Sequence, residues 1–404
     1  MNSAPEMTAQ QRHRAMLLLF FVLLLVMMGF SVLFPIEAYY IKQFGADSFT
    51  MGLISAVYSL MQFIFAPIWG RISDRVGRRP VLMLGLLGYV ISQVLFGLAT
   101  QVWMLFGARA LGGILSAATM PTAMAYIADI TPPEERAKGM GLTGAAFGLG
   151  VIIGPAVGGV LGSYSLGLPF FVSAALAFLA LLGVLTFLPE SLPREARNVH
   201  HEEHHESRWK AFSGKMATLY LVTLALSLGM VGIEVTFSFF AAERLQLDPS
   251  QTSLIFVVMG IVSVIVQGFL VDRVQKAIGE PRMMLAGLLI GAAGMAAVAF
   301  TNTAVAATIA ICVLSVGSGF ARPANSSLIS RNAGSQQGTA IGLMDSFDSL
   351  GRIVGPTVAG FIYRLNPTLP YASGAILFLV ALGLSLFWVK SAKALGHAVP
   401  APEK

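Results

Sequence analysis

GLTGAAFGLGVIIGPAVGGVLG, residues 141–162, has a second copy in the same chain: GLMDSFDSLGRIVGPTVAGF, residues 342–361. At an offset of 201, Gly141, Leu142, Gly150, Ile152, Gly154, Pro155, Val157 and Gly159 recur as Gly342, Leu343, Gly351, Ile353, Gly355, Pro356, Val358 and Gly360. The chain has 404 residues, so the offset is half its length. A single apolar unit has been duplicated, and a fixed long period of this kind decides the architecture before any local reading does.

Charged residues make up 11 % of the chain and hydrophobic residues 56 %. A soluble domain carries about 25 % charged residues, so a soluble fold is excluded. Residues 15–36 and 51–70 carry no charge, and residues 139–189 form a longer uncharged run. With about 20 apolar residues needed per crossing, the sequence predicts twelve spans. They cover roughly 15–40, 50–70, 80–99, 103–127, 138–162, 168–188, 217–241, 252–271, 282–301, 304–330, 338–363 and 368–389.

The net charge of +6 is explained by where the cations sit. With both termini inside, 20 of the 26 Lys and Arg fall in cytoplasmic segments. Only Lys42, Arg244 and Arg364 fall outside, while Arg109, Arg322 and Arg352 lie within spans. That asymmetry orients the chain and removes the case for a nucleic-acid partner. Cys312 is the single cysteine, so no intrachain disulfide forms. The first apolar run is span-length and lacks a small-residue cleavage pattern, which reads as an uncleaved first helix. The polar stretch within residues 190–216 divides the chain into an N-terminal six-helix bundle (1–189) and a C-terminal one (217–404). Further repeats support the division: Leu53-Ile54 recur as Leu254-Ile255, Pro121 as Pro323, and Gly70, Asp74, Arg75 and Val76 as Gly268, Asp272, Arg273 and Val274.

Between spans two and three runs GRISDRVGRRP, residues 70–80. Gly70 can let helices approach, Asp74 can pair with an arginine or a helix N-terminus, and Arg75, Arg78 and Arg79 hold the loop inside. Here the chain resembles the major facilitator superfamily, whose signature after the second helix follows G-x-x-x-D-R-x-G-R-R, with Gly77 and Arg78 completing the match. The resemblance covers nearly the whole chain. It implies an all-α membrane protein of twelve helices in two pseudo-symmetric six-helix bundles.

In span five, Gly150, Gly154, Pro155, Gly158 and Gly159 follow G-x-x-x-G-P-x-x-G-G. The glycines permit close helix packing and Pro155 is expected to kink the span. The pattern is similar to the antiporter signature of drug:proton antiporter families, which implies export. Arg109 in span four precedes Gly112-Gly113. An arginine in lipid needs a partner or a cavity, and the resemblance assigns it a part in proton coupling.

Span seven reads SLGMVGIEVTFSFFAAERL, residues 227–245, with Glu234 at mid-span. A carboxyl withdrawn from water can load and release a proton during a cycle. The stretch resembles Gram-positive quinolone and multidrug exporters, where a glutamate in this helix helps to couple the proton and bind drug. In span ten those exporters carry D-x-x-R-P; Arg322-Pro323 match, but Gly319 stands at the aspartate position. Span eleven offers compensation, because Asp345, Asp348 and Arg352 share one helix face at i, i+3 and i+7. The expected proton-coupling set is therefore Glu234, Asp345, Asp348, Arg109, Arg322, Arg352 and Glu37. Glu37 is its weakest member, close to the outer interface where water reaches carboxylates. Tyr58, Gln62, Phe147, Phe237, Glu234 and Asp348 form the expected substrate-binding set. Asp129 is expected to pair with loop arginines.

His201-Glu202-Glu203-His204-His205 fits H-E-x-x-H, a zinc-peptidase pattern. No apolar helix pattern surrounds it, so a solvated linker is the favoured reading. Asn325-Ser326-Ser327 fits a glycosylation sequon, but within a span. No P-loop pattern occurs, so the energy must come from a gradient. The whole reading is a proton-coupled exporter of amphipathic drugs or related small molecules working by alternating access, not an enzyme. It is expected to be monomeric in a bacterial cytoplasmic membrane. Its partners are substrate, protons and the bilayer, with no cofactor and no metal. The alternatives are an exporter or facilitator of an endogenous solute such as a sugar or glycolipid and, remotely, a metallopeptidase using the His-rich loop.

Overall fold

The computed structural model describes residues 9–131, 136–192, 215–333 and 336–394. The His201–His205 segment lies outside them. The first half forms α1 (Ala9–Ser31), α2 (Glu37–Lys42), α3 (Ser48–Val76), α4 (Arg78–Gly97), α5 (Val102–Ser116), α6 (Thr119–Ile130), α7 (Arg136–Tyr164) and α8 (Leu168–Phe187). The second forms α9 (Lys215–Glu243), α10 (Pro249–Ile265), a π turn (Val266–Leu270), α11 (Val271–Ile278), α12 (Glu280–Ala299), α13 (Ala304–Asn332), α14 (Gln337–Leu365) and α15 (Leu369–Ala394).

Two predicted spans are broken. Span one is α1 plus α2, interrupted beside Pro35, and span four is α5 plus α6. Pro121 has no N–H to offer the carbonyl four residues back, so the chain loosens at Ala117-Ala118. Pro155, Pro323 and Pro356 lie inside unbroken helices, so the kink expected at Pro155 does not interrupt α7. Among the described residues eleven segments are long and apolar enough to cross a membrane. The remaining long helix, α14, carries Asp345, Asp348, Arg352 and Arg364.

Helix ends follow from local chemistry. Asp248 accepts from Gln251 N while Gln251 returns a bond to Asp248 N, and Pro249 opens the first turn, so α10 starts with a complete capping box. Gly77 (φ 118°) and Gly279 (φ 79°) adopt left-handed backbone immediately before α4 and α12, a conformation that side chains resist. These corners fix the register between halves. Span two has 29 residues and span eight has 30, the extra one falling in the segment that holds the π turn. The Gly70–Val76 repeat is thus displaced by about one helical turn from its structural counterpart. The acid–base pair slides with it: Asp74–Arg78 (2.6 Å) recurs as Asp272–Lys276 (2.8 Å).

The chain divides into two compact units, residues 1–46 with 57–202, and residues 47–56 with 203–404. In the first, α1 packs on α7 and α8, and α4 on α5 and α8. In the second, α9 packs on α14 and α15, and α12 on α13 and α15. The same four helix pairings recur, as the duplication requires. Leu19, Leu23, Leu82, Leu86, Tyr126 and Val184 build the core at one end of the first unit. Tyr40, Phe96 and Phe170 stack at the other, with the Phe96 and Phe170 rings 4.8 Å apart. The antiporter-type glycines are packing residues. Gly150, Gly154 and Gly158 back directly onto Met27, Ser31 and Val32 of the first span, and Ser31 Oγ donates to the Gly150 carbonyl (2.7 Å).

Candidate functional site

Each unit brings together one group of charged side chains inside its membrane-crossing helices. In the first unit Glu37 and Arg109 form a buried ion pair, 7 % and 6 % exposed. Glu37 is therefore not hydrated, which corrects the expectation from its place near the span end; the break before α2 turns it inward. The Arg109 guanidinium lies over the rings of Phe96 (4.8 Å) and Tyr58 (5.4 Å), a geometry in which the ring quadrupoles add attraction. Gly113 makes this possible, since a Cβ there would meet the Tyr58 carbonyl at 2.6 Å. Tyr58 OH bonds to Ser116 Oγ (3.1 Å) and accepts from Gln62 Nε2 (3.0 Å). Breaking such a pair leaves an uncompensated buried charge, costing about 3–5 kcal/mol.

In the second unit Asp348 is the hub. It accepts from Arg352 Nε one turn along α14 (2.9 Å) and faces Arg322 of α13 (3.8 Å). Ser227 Oγ of α9 donates to the Asp348 carbonyl (2.9 Å) and fixes the helix spacing. Glu234 stands within electrostatic reach of both arginines. Thr223, Arg322, Asn325, Ser326, Asp345 and Asp348 line a cavity of about 230 Å³. The spacing-based expectation that Asp345, Asp348 and Arg352 share a face is met, and Arg322 joins them from the next helix.

Other expected residues go elsewhere. Phe237 is fully buried against Phe240 and Phe256 and belongs to the aromatic core rather than to this cavity. Phe147 is 44 % exposed. Asp129 pairs with Arg78 (3.1 Å) and accepts from Ser191 Oγ (2.9 Å), as a loop-pairing residue should. A Cβ at Gly70 would meet nothing within 4 Å among the described residues, so the close helix approach expected there is not seen. A Cβ at Gly319 would meet Val266 Cγ1 at 2.8 Å, so the aspartate of D-x-x-R-P has no room here unless Val266 moves. Sequence reasoning missed Thr223, Ser227 and the cavity-lining place of Asn325. Their signal was polar atoms in otherwise apolar spans.

A repeated two-unit bundle of membrane-length helices, with paired charges held inside both units, defines a multipass membrane protein of the duplicated-transporter type. A family model described as Major Facilitator Superfamily matches residues 19–336 and 219–402. The chain belongs to that superfamily. It is 31 % identical over 373 residues to multidrug resistance protein 2 of Bacillus subtilis (strain 168), covering 90 % of this chain and 92 % of that one. It is 27 % identical over 365 residues to quinolone resistance protein NorA of Staphylococcus aureus (strain MSSA476), covering 90 % and 91 %. Among solved structures it is similar to the human organic anion transporter MFSD10 (25 % identity, TM-score 0.69, covering 95 % of this chain and 100 % of that one). A bacterial homologue of the human lysosomal transporter Spinster, inward-facing and unoccupied, shares the fold at 17 % identity (TM-score 0.76, both chains fully covered).

Proposed function

We propose that this protein is a proton-coupled exporter of amphipathic drugs or related small molecules, working in a bacterial cytoplasmic membrane with both termini inside. One observation carries the reading. Asp348 is held between two arginines on membrane-crossing helices, beside a cavity that also exposes Asp345. Charges at such depth are costly unless they serve a pathway. The resistance proteins that the chain resembles over nine-tenths of its length supply the substrate class.

In this reading, protonation of Glu234 and of Asp345 or Asp348 from outside releases substrate and permits the inward switch. Deprotonation to the cytoplasm restores an anionic cavity. Arg322 and Arg352 pair with Asp348, and Glu37–Arg109 is the buried charge pair of the first unit. A potential near 100 mV supplies about 2.3 kcal/mol per charge, enough for roughly a 50-fold gradient. No covalent chemistry is required, and the chain acts as a transporter rather than an enzyme.

The test is substrate-evoked proton flux in liposomes loaded with a pH-sensitive dye, across a panel of lipophilic cations, quinolones and sugars. Glu234→Gln combined with Asp345→Asn and Asp348→Asn is expected to abolish the flux. Full gradient-driven export by that triple variant would remove the mechanism, and flux with sugars alone would move the assignment to an endogenous solute. Replacing His201, Glu202 and His205 together is expected to leave transport intact.

A further inference from the structure

We infer that Asp345 is the aspartate that takes up the exchangeable proton in the second unit, and that Asp348 serves instead as the fixed partner of two arginines. The inference rests on the export reading above, which leaves the proton on either residue, and on separate observations for the choice between them.

The two lie three residues apart on one face of α14. Their surroundings differ. Asp348 accepts from Arg352 Nε (2.9 Å), faces Arg322 (3.8 Å) and has its main-chain carbonyl held by Ser227 Oγ (2.9 Å). Asp345 is exposed, lines the cavity of about 230 Å³ and forms no ion pair within 4 Å among the described residues. The charge within electrostatic reach of it is Asp348, which has the same sign. A like charge favours the protonated form of a carboxyl, and an opposite charge favours the ionised form. A proton arriving in the cavity therefore goes to Asp345 before Asp348.

The charge balance points the same way. The charged groups around the cavity are Glu234 of α9, Arg322 of α13, and Asp345, Asp348 and Arg352 of α14. The remaining helix packed on α14, α15, adds none to the cavity wall among the described residues. Glu234 and Asp348 each lie within electrostatic reach of both arginines. Two carboxylates and two guanidiniums cancel, and Asp345 is the carboxylate left over. One proton on it brings the set to neutrality, which lowers the cost of holding charge inside a membrane. The cavity has room for several waters at about 30 Å³ each, and these give the proton a route.

Gly319 fits the same division. The exporters this chain resembles carry an aspartate three residues before the arginine of span ten. Here a Cβ at that place would meet Val266, and Arg322 takes its carboxylate from α14. One helix thus supplies two aspartates, one for the pairing and one for the proton.

The test reads the titration directly. Infrared difference spectra of the full-length protein in lipid are recorded between about pH 5.5 and 8, where hydrated carboxylates with values near 4 stay ionised. A carboxyl C=O band that grows on acidification is expected. Asp345→Asn should remove a band that Asp348→Asn leaves in place, and Asp345→Glu should return it at a shifted position. If the Asn variant fails to fold, the Glu variant still decides, because a band that does not shift there belongs to another residue. The absence of any such band, or one that survives Asp345→Asn, overturns the inference.

The second readout is movement of tetraphenylphosphonium in liposomes. Asp345→Asn should lose uphill transport and still exchange labelled for unlabelled compound, a separation that a merely structural defect does not produce. Uphill transport at the wild-type rate in that variant overturns the inference. An Asp345 band without proton flux evoked by any compound upholds the proton site and removes the antiport reading; flux with a band indifferent to Asp345→Asn does the reverse.

Discussion

Where α3 hands over to α4, Gly77 turns the chain and Arg78 opens the new helix; where α11 hands over to α12, Gly279 turns it and Glu280 opens the helix. Arg78 donates to Ser73 Oγ (2.7 Å) and pairs with Asp129 near the end of α6 (3.1 Å). Glu280 accepts from Gln275 Nε2 (2.9 Å) and pairs with Arg331 near the end of α13 (3.4 Å). At an offset of 202, Ser73, Arg78 and Asp129 correspond to Gln275, Glu280 and Arg331. The geometry is kept and every polarity is reversed. The corner therefore needs a charge pair and a polar brace, and either helix can carry either sign.

One asymmetry follows from the helix dipole. A helix N-terminus favours an anion. Glu280 supplies one from its own first turn. Arg78 is the wrong sign for that position, and Glu190, from beyond the end of α8, accepts from Arg78 N (2.8 Å) and Arg79 N (3.3 Å). The first unit borrows at long range what the second carries locally.

The strongest way to break this comparison is Glu280→Lys. Glu280 is 4 % exposed, and an ammonium there would face Arg331. A loss of about 3–5 kcal/mol is expected, read as a fall in the unfolding temperature of the detergent-solubilised protein. An unchanged temperature would show that the pair holds nothing. The double exchange Glu280→Arg with Arg331→Asp copies the polarity of the first unit without a counterpart of Glu190. It should recover most of that loss and stay about 1 kcal/mol short; full recovery would make the borrowed carboxylate irrelevant. Glu190→Gln should cost about 1 kcal/mol, more at low salt than at high. Asp129→Asn should cost about 0–1 kcal/mol, because Asp129 is partly exposed.

The smallest effect is expected at Asp47, outside both corners. Burial pushes its carboxyl up, but hydrogen bonds from Thr50 N (2.9 Å) and Thr50 Oγ1 (2.8 Å) and the Arg364 guanidinium (2.8 Å) hold it below its ordinary value. Its stabilisation is then fully present above the unfolded value near 4 and is lost as pH falls through the lower folded value. The stability gap between wild type and Asp47→Asn should be constant at neutral pH and close in that acid window. A gap that widens on acidification would reverse the sign.

Much of this was legible before any coordinate. The Gly-Pro helices gave the duplication, and the i, i+3, i+7 spacing put Asp345, Asp348 and Arg352 on one face, because helical spacing is local information. Glu37–Arg109 was not legible as a pair, since nothing local joins residues 72 apart. Phe237 looked like a cavity aromatic because a buried face and a ligand-lining face share one sequence pattern. Asn325 stood out only as a misplaced sequon. Its place in the cavity wall depends on Leu219 and Thr223, about a hundred residues away, to which its amide donates. Glu280 drew no notice because its burial depends on Ser327 and Arg331 from another helix.

The π turn at Val266–Leu270 also accounts for the difference in length between the halves. A turn closed over five residues instead of four takes in one residue more without moving the helix on either side. The eighth span is longer than the second by that one residue, and the π turn lies between its capping box and its glycine corner. Val266, the first residue of the bulge, is the side chain against which Gly319 packs. The π turn and Gly319, which stands at the aspartate position of D-x-x-R-P, are therefore neighbours in space. A change of length between the two halves and a change of chemistry in span ten meet at one contact, Val266 against Gly319.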